Sequence, residues 1–185
     1  MEIGRSNPHH RAESNNIKME GKNKFKIYPR GLDITWGNDN RYWMLSDMEA
    51  EDSFAELKQV NWLEVTGSTP KNLKIGAWFK VSFNVTLRPN AFGWDECNVY
   101  IMAKIGKKGH YSFKKLNLNV KQPEGRFNIP HNELKIKVAK PKNGSEEDLK
   151  LYFGMYEVWS NRWKGGLRIY HALVEECEAP KEKKL

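Results

Sequence analysis

Cysteine is scarce in this sequence of 185 residues, which contains only Cys97 and Cys177. Neither residue lies in the CxxC or CxxH spacing of a zinc site. Two thiols are also too few for the disulfide framework that stabilises small secreted domains. The cysteine content therefore predicts a protein with neither a structural zinc ion nor a disulfide scaffold.

Long apolar runs are also missing. The run over residues 99–103 is far shorter than the roughly 20 residues that a membrane helix needs. Residues 1–16 are polar and include no apolar segment of the kind found in secretory signals. We therefore expect a soluble, cytoplasmic protein that does not insert into membranes.

Sequence patterns typical of catalysis are absent as well. Three of the five histidines lie on separate segments, at His110, His131 and His171. No serine or cysteine has a nucleophile-elbow context, no glycine-rich loop is suited to phosphate, and no carboxylate pair is placed for glycoside hydrolysis. The sequence thus predicts that the protein is not an enzyme and carries no cofactor.

The sequence does contain a strict alternation of apolar and polar residues. Phe79, Val81 and Phe83 alternate with polar residues within segment 77–87, which indicates a strand with one buried face. Similar strand patterns recur in four later segments: 97–105, 134–138, 149–155 and 167–174. Many short strands with little helix predict an all-β fold, an antiparallel β-sandwich of jelly-roll-like form.

The composition divides the chain into three parts. Residues 1–23 predict a disordered polar arm, residues 24–178 one continuous domain, and residues 179–185 a charged tail. Only segment 47–58 has a helical pattern, with Ser53 and Glu56 as a capping signal. We therefore expect one β-sandwich domain with at most one short helix.

Two tryptophans flank a short polar turn and are candidates for binding a sugar ring. Trp36 and Trp43 enclose the polar stretch 38–40. A pyranose has an apolar C–H face and polar hydroxyls, so it needs a flat aromatic surface beside hydrogen-bonding groups. No apolar residue lies two positions before Trp43, so we expect it at the surface. Trp36 does lie two positions after the apolar Ile34, so a buried core position and an exposed binding position are equally consistent with its sequence context.

A second candidate group follows the strand pattern near the C-terminal end. Glu157 continues the apolar phase of that strand, so it lies at the rim of the sandwich or is buried with partners. It is a candidate acceptor for sugar hydroxyls or an acetamide N–H, with Asn161 and Lys164 as nearby donors. Trp159 shares the phase and would line the same mouth. The structural alternative is an ion pair between the glutamate and Lys164 or Arg162.

Five blocks of sequence, taken in order and spacing, are similar to one known family. They are Ile34-Thr35-Trp36, Tyr42-Trp43, the run from Val60 to Gly67, Met155 with Glu157, and Trp163-Lys164-Gly165-Gly166-Leu167. Together they resemble the phloem protein 2 lectin family, which includes the Nictaba-type and cucurbit phloem lectins. The resemblance extends over roughly residues 26–176.

The resemblance implies a metal-free, carbohydrate-binding β-sandwich that recognises N-acetylglucosamine oligomers (chito-oligosaccharides) and N-glycan cores. It also implies a homodimer in the cytoplasm, as in phloem sap and sieve elements, or in both cytoplasm and nucleus. The family's two site tryptophans correspond to Trp36 and Trp43, and one site glutamate corresponds to Glu157. A second family acid, seven positions earlier, corresponds to Lys150, so the acidic part of the site differs here.

The segment from Lys104 to Lys121 favours a different function. It contains six lysines and no acidic residue, interleaved with Tyr111 and Phe113. That composition suits phosphate contacts and base stacking in an RNA-binding or transport protein. The structural alternative is a solvated sheet face whose lysines discourage edge-to-edge pairing. A filament component cross-linked through Cys97 or Cys177 is a third class, and Cys177 is the better candidate because the strand phase of Cys97 predicts burial.

Overall fold

The structure, a computed structural model, describes residues 7–46, 51–95, 97–119, 122, 124–139 and 148–182. Twelve strands run through this part of the chain: β1 (Ile17–Met19), β2 (Lys24–Ile27), β3 (Asp33–Ile34), β4 (Trp43–Leu45), β5 (Ala55–Leu57), β6 (Leu63–Ser68), β7 (Trp78–Phe92), β8 (Val99–Ile105), β9 (Ser112–Leu116), β10 (Phe127–Lys137), β11 (Leu151–Glu157) and β12 (Gly165–Cys177). The helical segments within these residues are two single 3-10 turns, at Ser14–Asn16 and Pro29–Gly31. Neither is long and apolar enough to cross a membrane.

The strands form two antiparallel sheets, which confirms the predicted all-β fold. In the seven-stranded sheet, the long strand β12 pairs along one side with both β2 and β5 and along the other with β7. Strand β1 extends this sheet beyond β2, β4 extends it beyond β5, and β10 extends it beyond β7. The five-stranded sheet has the order β3-β6-β11-β8-β9.

The core lies between the two sheets and follows the alternation seen in the sequence. Phe79, Val81 and Phe83 of β7 are 0–1% exposed, and the ring of Phe83 meets the ring of Phe153 on β11 with 5.7 Å between centroids. Because alternate residues of a strand face the same side, each strand gives the core every second side chain. Cys97 is buried as its phase predicts, and burial raises the pKa of its thiol.

The helix expected over 47–58 is wrong where the structure describes this segment. Residues 47–50 lie outside the described residues, but Ala55 and Leu57 belong to β5, which lies between β4 and β12. Both side chains are buried, while Glu56 faces outward and accepts a hydrogen bond from Arg168 at 2.9 Å. Pairing on both edges outweighs the weak local capping signal, because helix propensity is easily overridden by tertiary contacts.

The disordered arm expected over residues 1–23 is wrong for residues 7–23, which the structure describes. Strand β1 pairs with β2, and His10 is joined to Ile34 by two backbone hydrogen bonds of 3.0 Å. Asn16 and His10 are both buried, at 5% exposure. Backbone hydrogen bonds to sheet edges hold this segment, and composition does not reveal such bonds because every residue type can form them.

Candidate functional site

Four ring-bearing side chains form a continuous series on the surface, which we call the aromatic row: His9, Trp36, Tyr42 and Trp163. Neighbouring ring centroids are 4.8, 5.8 and 6.4 Å apart in that order, and the rings of Tyr42 and Trp163 are stacked at 26°. Trp36 is 37% exposed and Trp163 is 49% exposed. The row therefore presents two exposed indole rings to solvent, each in contact with a half-buried ring.

Trp36 is exposed because the chain leaves β3 just before it. The N–H of Gly37 donates to the carbonyl of Ile34 at 2.9 Å, and Trp36 has a φ of 65°, in the left-handed region. Because a left-handed residue is incompatible with extended strand geometry, the alternation of inward and outward side chains in β3 ends before Trp36. The core position that the sequence left open for Trp36 is thus not the one observed.

Trp43 is buried, so the expectation that it lies at the surface is wrong. It begins β4, pairs with Leu57 of β5, and is 1% exposed. Residues directly opposite in an antiparallel pair face the same side, so Trp43 points into the core with Leu57. Alternation along the chain then turns the preceding residue, Tyr42, outward. The alternation of apolar and polar residues in Ala55-Glu56-Leu57 was a sequence signal for the strand β5, against which Trp43 is buried.

A charged group borders the aromatic row at the turn before β4. The guanidinium of Arg41 donates to Asp39 through Nη2 at 2.7 Å and Nε at 3.0 Å, and the Arg41 backbone N–H also donates to Asp39 at 3.0 Å. These hydrogen bonds lower the pKa of Asp39 to about 2. The guanidinium carbon lies 5.1 Å from the ring centroid of Tyr42. The turn therefore holds hydrogen-bonding groups beside the ring faces.

Glu157 and Lys164 form a buried ion pair behind the row. Nζ of Lys164 lies 3.0 Å from Oε2 of Glu157, and the two side chains are 0% and 2% exposed respectively. Nζ also donates to the carbonyl of Arg162 at 2.9 Å, and the N–H of Ser160 donates to Oε1 of Glu157 at 3.1 Å. The pair ties together the loop between β11 and β12. Of the two alternatives predicted for Glu157, the structure contains the ion pair with Lys164. Because both side chains are almost fully buried, neither can contact a ligand while this pair is formed.

The same loop fixes the position of Trp163. Lys164 exchanges two backbone hydrogen bonds of 3.0 Å with Val60, which places the lysine inward and leaves the adjacent Trp163 facing solvent. Gly93, with a φ of 84°, passes so close that an added Cβ would collide with the carbonyl of Trp163. Only glycine fits there, because both the conformation and the space exclude a side chain. The backbone at Trp163 is therefore held in place by close packing against Gly93 and by the hydrogen bonds of the adjacent Lys164.

The other predicted site residues have different surroundings. Asn161 is exposed, and its Oδ1 accepts a hydrogen bond from Nδ2 of Asn61 at 2.9 Å, which leaves its NH₂ group as a donor. Trp159 is 62% exposed and packs against Tyr100 at 4.8 Å, so its ring contact is with the five-stranded sheet. Lys150 precedes β11 at the end opposite Glu157, roughly 23 Å away at about 3.3 Å per residue.

Sequence reasoning did not select Tyr42, Trp163 or His9 as site residues. Tyr42 and Trp163 belong to the sequence blocks that resemble the phloem protein 2 family. Trp163 also directly precedes Lys164, which the sequence offered as an ion-pair partner of Glu157. Nothing in the local sequence marked His9, because its contact with Trp36 joins segments that are separate in the chain. Among the described residues no group of three or more His, Cys, Asp or Glu side chains is arranged to hold a metal ion.

Comparison with known proteins identifies relatives along most of the chain. It is similar to protein phloem protein 2-like A9 of Arabidopsis thaliana, at 40% identity over 91% of this chain and 96% of that protein. A lectin of Luffa acutangula is 36% identical over 42% of this chain and 39% of its own length. A solved structure, a Podospora anserina GH26-CBM35 β-(1,4)-mannanase, overlaps 86% of this chain and 29% of that chain, with 6% identity and a TM-score of 0.49.

The family comparison is consistent with the resemblance found in the sequence. The family model described as Phloem protein 2 matches residues 22–174, which include three members of the aromatic row and leave out His9. The relative that aligns over most of both chains bears the same family name. The chain therefore belongs to the phloem protein 2 family.

Proposed function

We propose that this protein is a lectin that binds N-acetylglucosamine oligomers and N-glycan cores through the aromatic row and catalyses no reaction. The observation that carries the proposal is the series of exposed Trp36, half-buried Tyr42 and exposed Trp163, in which the rings of Tyr42 and Trp163 are stacked. Relatives from Luffa acutangula and Coccinia grandis that bear the name lectin support it.

The aromatic row offers both kinds of contact that a sugar ring needs. The C–H face of a pyranose packs on the near-parallel rings of Tyr42 and Trp163, where apolar area is removed from water. Hydroxyl and acetamide groups at the edge of the sugar bond to the Asp39–Arg41 pair and to the exposed amide of Asn161. Because these groups are already held in place, little ordering entropy is lost on binding.

Glu157 and Lys164 take part by holding the loop that carries Trp163. Their ion pair is buried, and its hydrogen bonds reach the backbone of residues 160 and 162. They act on the sugar through the position of the tryptophan ring. Trp43 likewise anchors the start of β4 next to Tyr42.

Isothermal titration with chitotriose, at low and at high salt, tests the proposal. Saturable heat that does not change with salt is expected, because a neutral sugar makes no phosphate-like contacts. Trp163→Ala should weaken binding at least tenfold, since exposed aromatic anchors carry much of the binding energy. Trp62→Ala is the matched control, because Trp62 is exposed to a similar extent (45%) and no ring contact within the described residues joins it to the row.

Two results would contradict this function. The absence of heat at millimolar chitotriose would reject sugar binding of this class, and equal losses in Trp163→Ala and Trp62→Ala would reject the aromatic row as the site. We also propose the homodimer that the family resemblance implies. Sedimentation of the purified protein tests it, and a monomer at micromolar concentration would reject it.

A second candidate function, RNA binding, has its own surface. Tyr100, Tyr111, Phe113 and Trp159 form what we call the tyrosine face, on the outside of the five-stranded sheet. Tyr100 contacts Phe113 at 5.6 Å and Trp159 at 4.8 Å, and Nζ of Lys104 lies 4.5 Å from the Tyr111 ring centroid. Exposed aromatic rings beside lysines suit base stacking and phosphate contacts.

Salt dependence separates the two functions. Affinity for a single-stranded RNA oligonucleotide should fall steeply between 50 and 200 mM salt if lysines contact phosphates, by about 300-fold for six contacts. Phe113→Ala should weaken RNA binding and leave chitotriose binding as it is in the wild type. RNA affinity that is absent, or equal in wild type and Phe113→Ala, would reject the tyrosine face as an RNA site.

A further inference from the structure

The N-terminal segment 7–12, which we call the strap, lies across β3 and reaches the aromatic row. Besides the two bonds between His10 and Ile34, the N–H of Asn38 donates to the carbonyl of Pro8 at 3.0 Å, and Nδ2 of Asn38 lies 3.1 Å from the carbonyls of Asn7 and His9. These contacts pair the strap with the outer edge of the five-stranded sheet and with the turn that carries Trp36.

Close packing at Gly37 and the burial of His10 hold the strap against β3 and the turn that follows it. His10 is 5% exposed, and its Nε2 is 3.0 Å from the carbonyl of Arg30. A Cβ at Gly37 would lie 2.8 Å from Cβ of His10, closer than such atoms approach in folded proteins. The turn and the strap therefore fit together only with glycine at position 37.

His9 connects the strap to the aromatic row chemically. Its Nδ1 accepts a hydrogen bond of 2.9 Å from the backbone N–H of Trp36. Because that N–H can only donate, the neutral ring carries its proton on Nε2, which is then a donor. The ring also contacts the Trp36 indole at 4.8 Å, so His9 is the terminal member of the row.

A polar cleft of about 240 Å³ adjoins His9 and is lined among others by His9, Arg11, Asp33, Thr35, Glu64 and Thr66. Asp33 and Thr66 are direct cross-strand partners on β3 and β6. Oε2 of Glu64 accepts a hydrogen bond from Thr35 at 2.8 Å, which leaves Oε1 as an acceptor. The volume is below the roughly 300–1,000 Å³ of pockets for drug-sized ligands, so the cleft suits a single sugar ring.

We infer that this cleft is a further sugar subsite, which receives the ring that extends beyond Trp36 in a longer oligosaccharide. The inference rests on the proposed lectin function. The carboxylates that line the cleft accept hydrogen bonds from sugar hydroxyls, and its threonine hydroxyls can donate or accept them. His9 contributes both to the lining of the cleft and to the aromatic row. The strap thereby lengthens the binding surface of the sandwich beyond the residues that the family model covers.

Titration with chitobiose and chitotetraose tests the subsite. The row alone is enough for chitobiose, whereas chitotetraose is long enough to reach the cleft, so wild type should bind the tetramer more tightly. Glu64→Gln and Thr66→Val should each lower tetramer affinity, by about tenfold for the charged acceptor, and leave chitobiose affinity unchanged. Glu178→Gln, which removes an exposed carboxylate near the C-terminus, is the charge-matched control.

The outcomes separate the subsite from the lectin function. Equal affinity of wild type for both sugars, or equal losses for both sugars in Glu64→Gln, would overturn the subsite while the lectin function stands. Binding of neither sugar by wild type would overturn both. Thr66→Val removes one hydroxyl at constant shape, so it keeps the test decisive if Glu64→Gln melts at a lower temperature than wild type.

Discussion

The ammonium of Lys164 and the carboxylate of Glu157 meet at 3.0 Å in the interior, at the point where β11 ends and β12 is about to begin. The backbone of Ser160 donates to the carboxylate, and the lysine donates to the carbonyl of Arg162. Two ionised side chains that sequence reasoning assigned to ligand contact are thus partners of each other. Their common effect is to fix the loop that presents Trp163.

Breaking this pair should destabilise the protein severely. Lys164→Met leaves a buried carboxylate without its counter-charge, and such losses cost about 3–5 kcal/mol. The double variant Glu157→Gln/Lys164→Met should be more stable than Lys164→Met alone, because no buried charge then lacks a partner. Urea denaturation measures all three free energies of unfolding. A Lys164→Met protein whose free energy of unfolding is within 1 kcal/mol of the wild-type value would contradict a buried ion pair.

Trp43→Ala should act on stability. The side chain is 1% exposed and packs in the core with Leu57, so its removal leaves a cavity and should cost about 3–5 kcal/mol. The midpoint of thermal or urea unfolding measures this effect. A Trp43→Ala protein that unfolds like wild type but has lost chitotriose binding would show instead that this side chain contacts the sugar.

Trp36→Ala should show the opposite behaviour. The indole is 37% exposed at the surface, so truncation should change the free energy of unfolding by less than about 1 kcal/mol. Chitotriose affinity should fall at least tenfold, because the middle of the aromatic row is lost. Titration calorimetry beside a thermal melt checks both parts. Unchanged affinity with a large loss of stability would place Trp36 in the core.

Stability should decline in mild acid because of His171 on β12. Burial, with a further contribution from the positive charge of Lys26, lowers the pKa of His171 to about 4, below the 6.5 of an exposed histidine. The unfolded chain therefore takes up this proton first as the pH falls. The contribution of His171 to the free energy of unfolding is complete above pH 6.5 and is lost as the pH falls toward 4. Because the ring is only partly buried and solvent screens it, this loss should be about 1–2 kcal/mol.

Urea denaturation at pH 7 and pH 4.5, compared between wild type and His171→Gln, measures this contribution. The variant has no titrating ring at this position, so it should lose less stability than wild type over the interval. All other ionisable groups are shared, which makes the difference specific to His171. The same acid-dependent loss in both proteins would assign the pH effect to other groups.

Local sequence was sufficient for the sheet layers and for most of the core. The alternation of Phe79, Val81 and Phe83 predicts their burial correctly, because in a strand the period of two is set by backbone geometry alone. The family resemblance was likewise readable in the chain, since it depends on residue types and their spacing. Pairing partners are not contained in such patterns. This is why local sequence predicts a helix where β5 lies and a disordered arm where the strap lies.

The sequence by itself determined the fold class and the family, and it narrowed the candidate site to segments 36–43 and 157–164. Only the tertiary structure decided which side chains face solvent. It buries Trp43 opposite Leu57, turns Trp36 outward by one left-handed residue, and pairs Glu157 with Lys164 in the interior. The physical reason is that exposure depends on what a strand or loop packs against. The packing partners come from distant parts of the chain, as His9 does where it contacts Trp36.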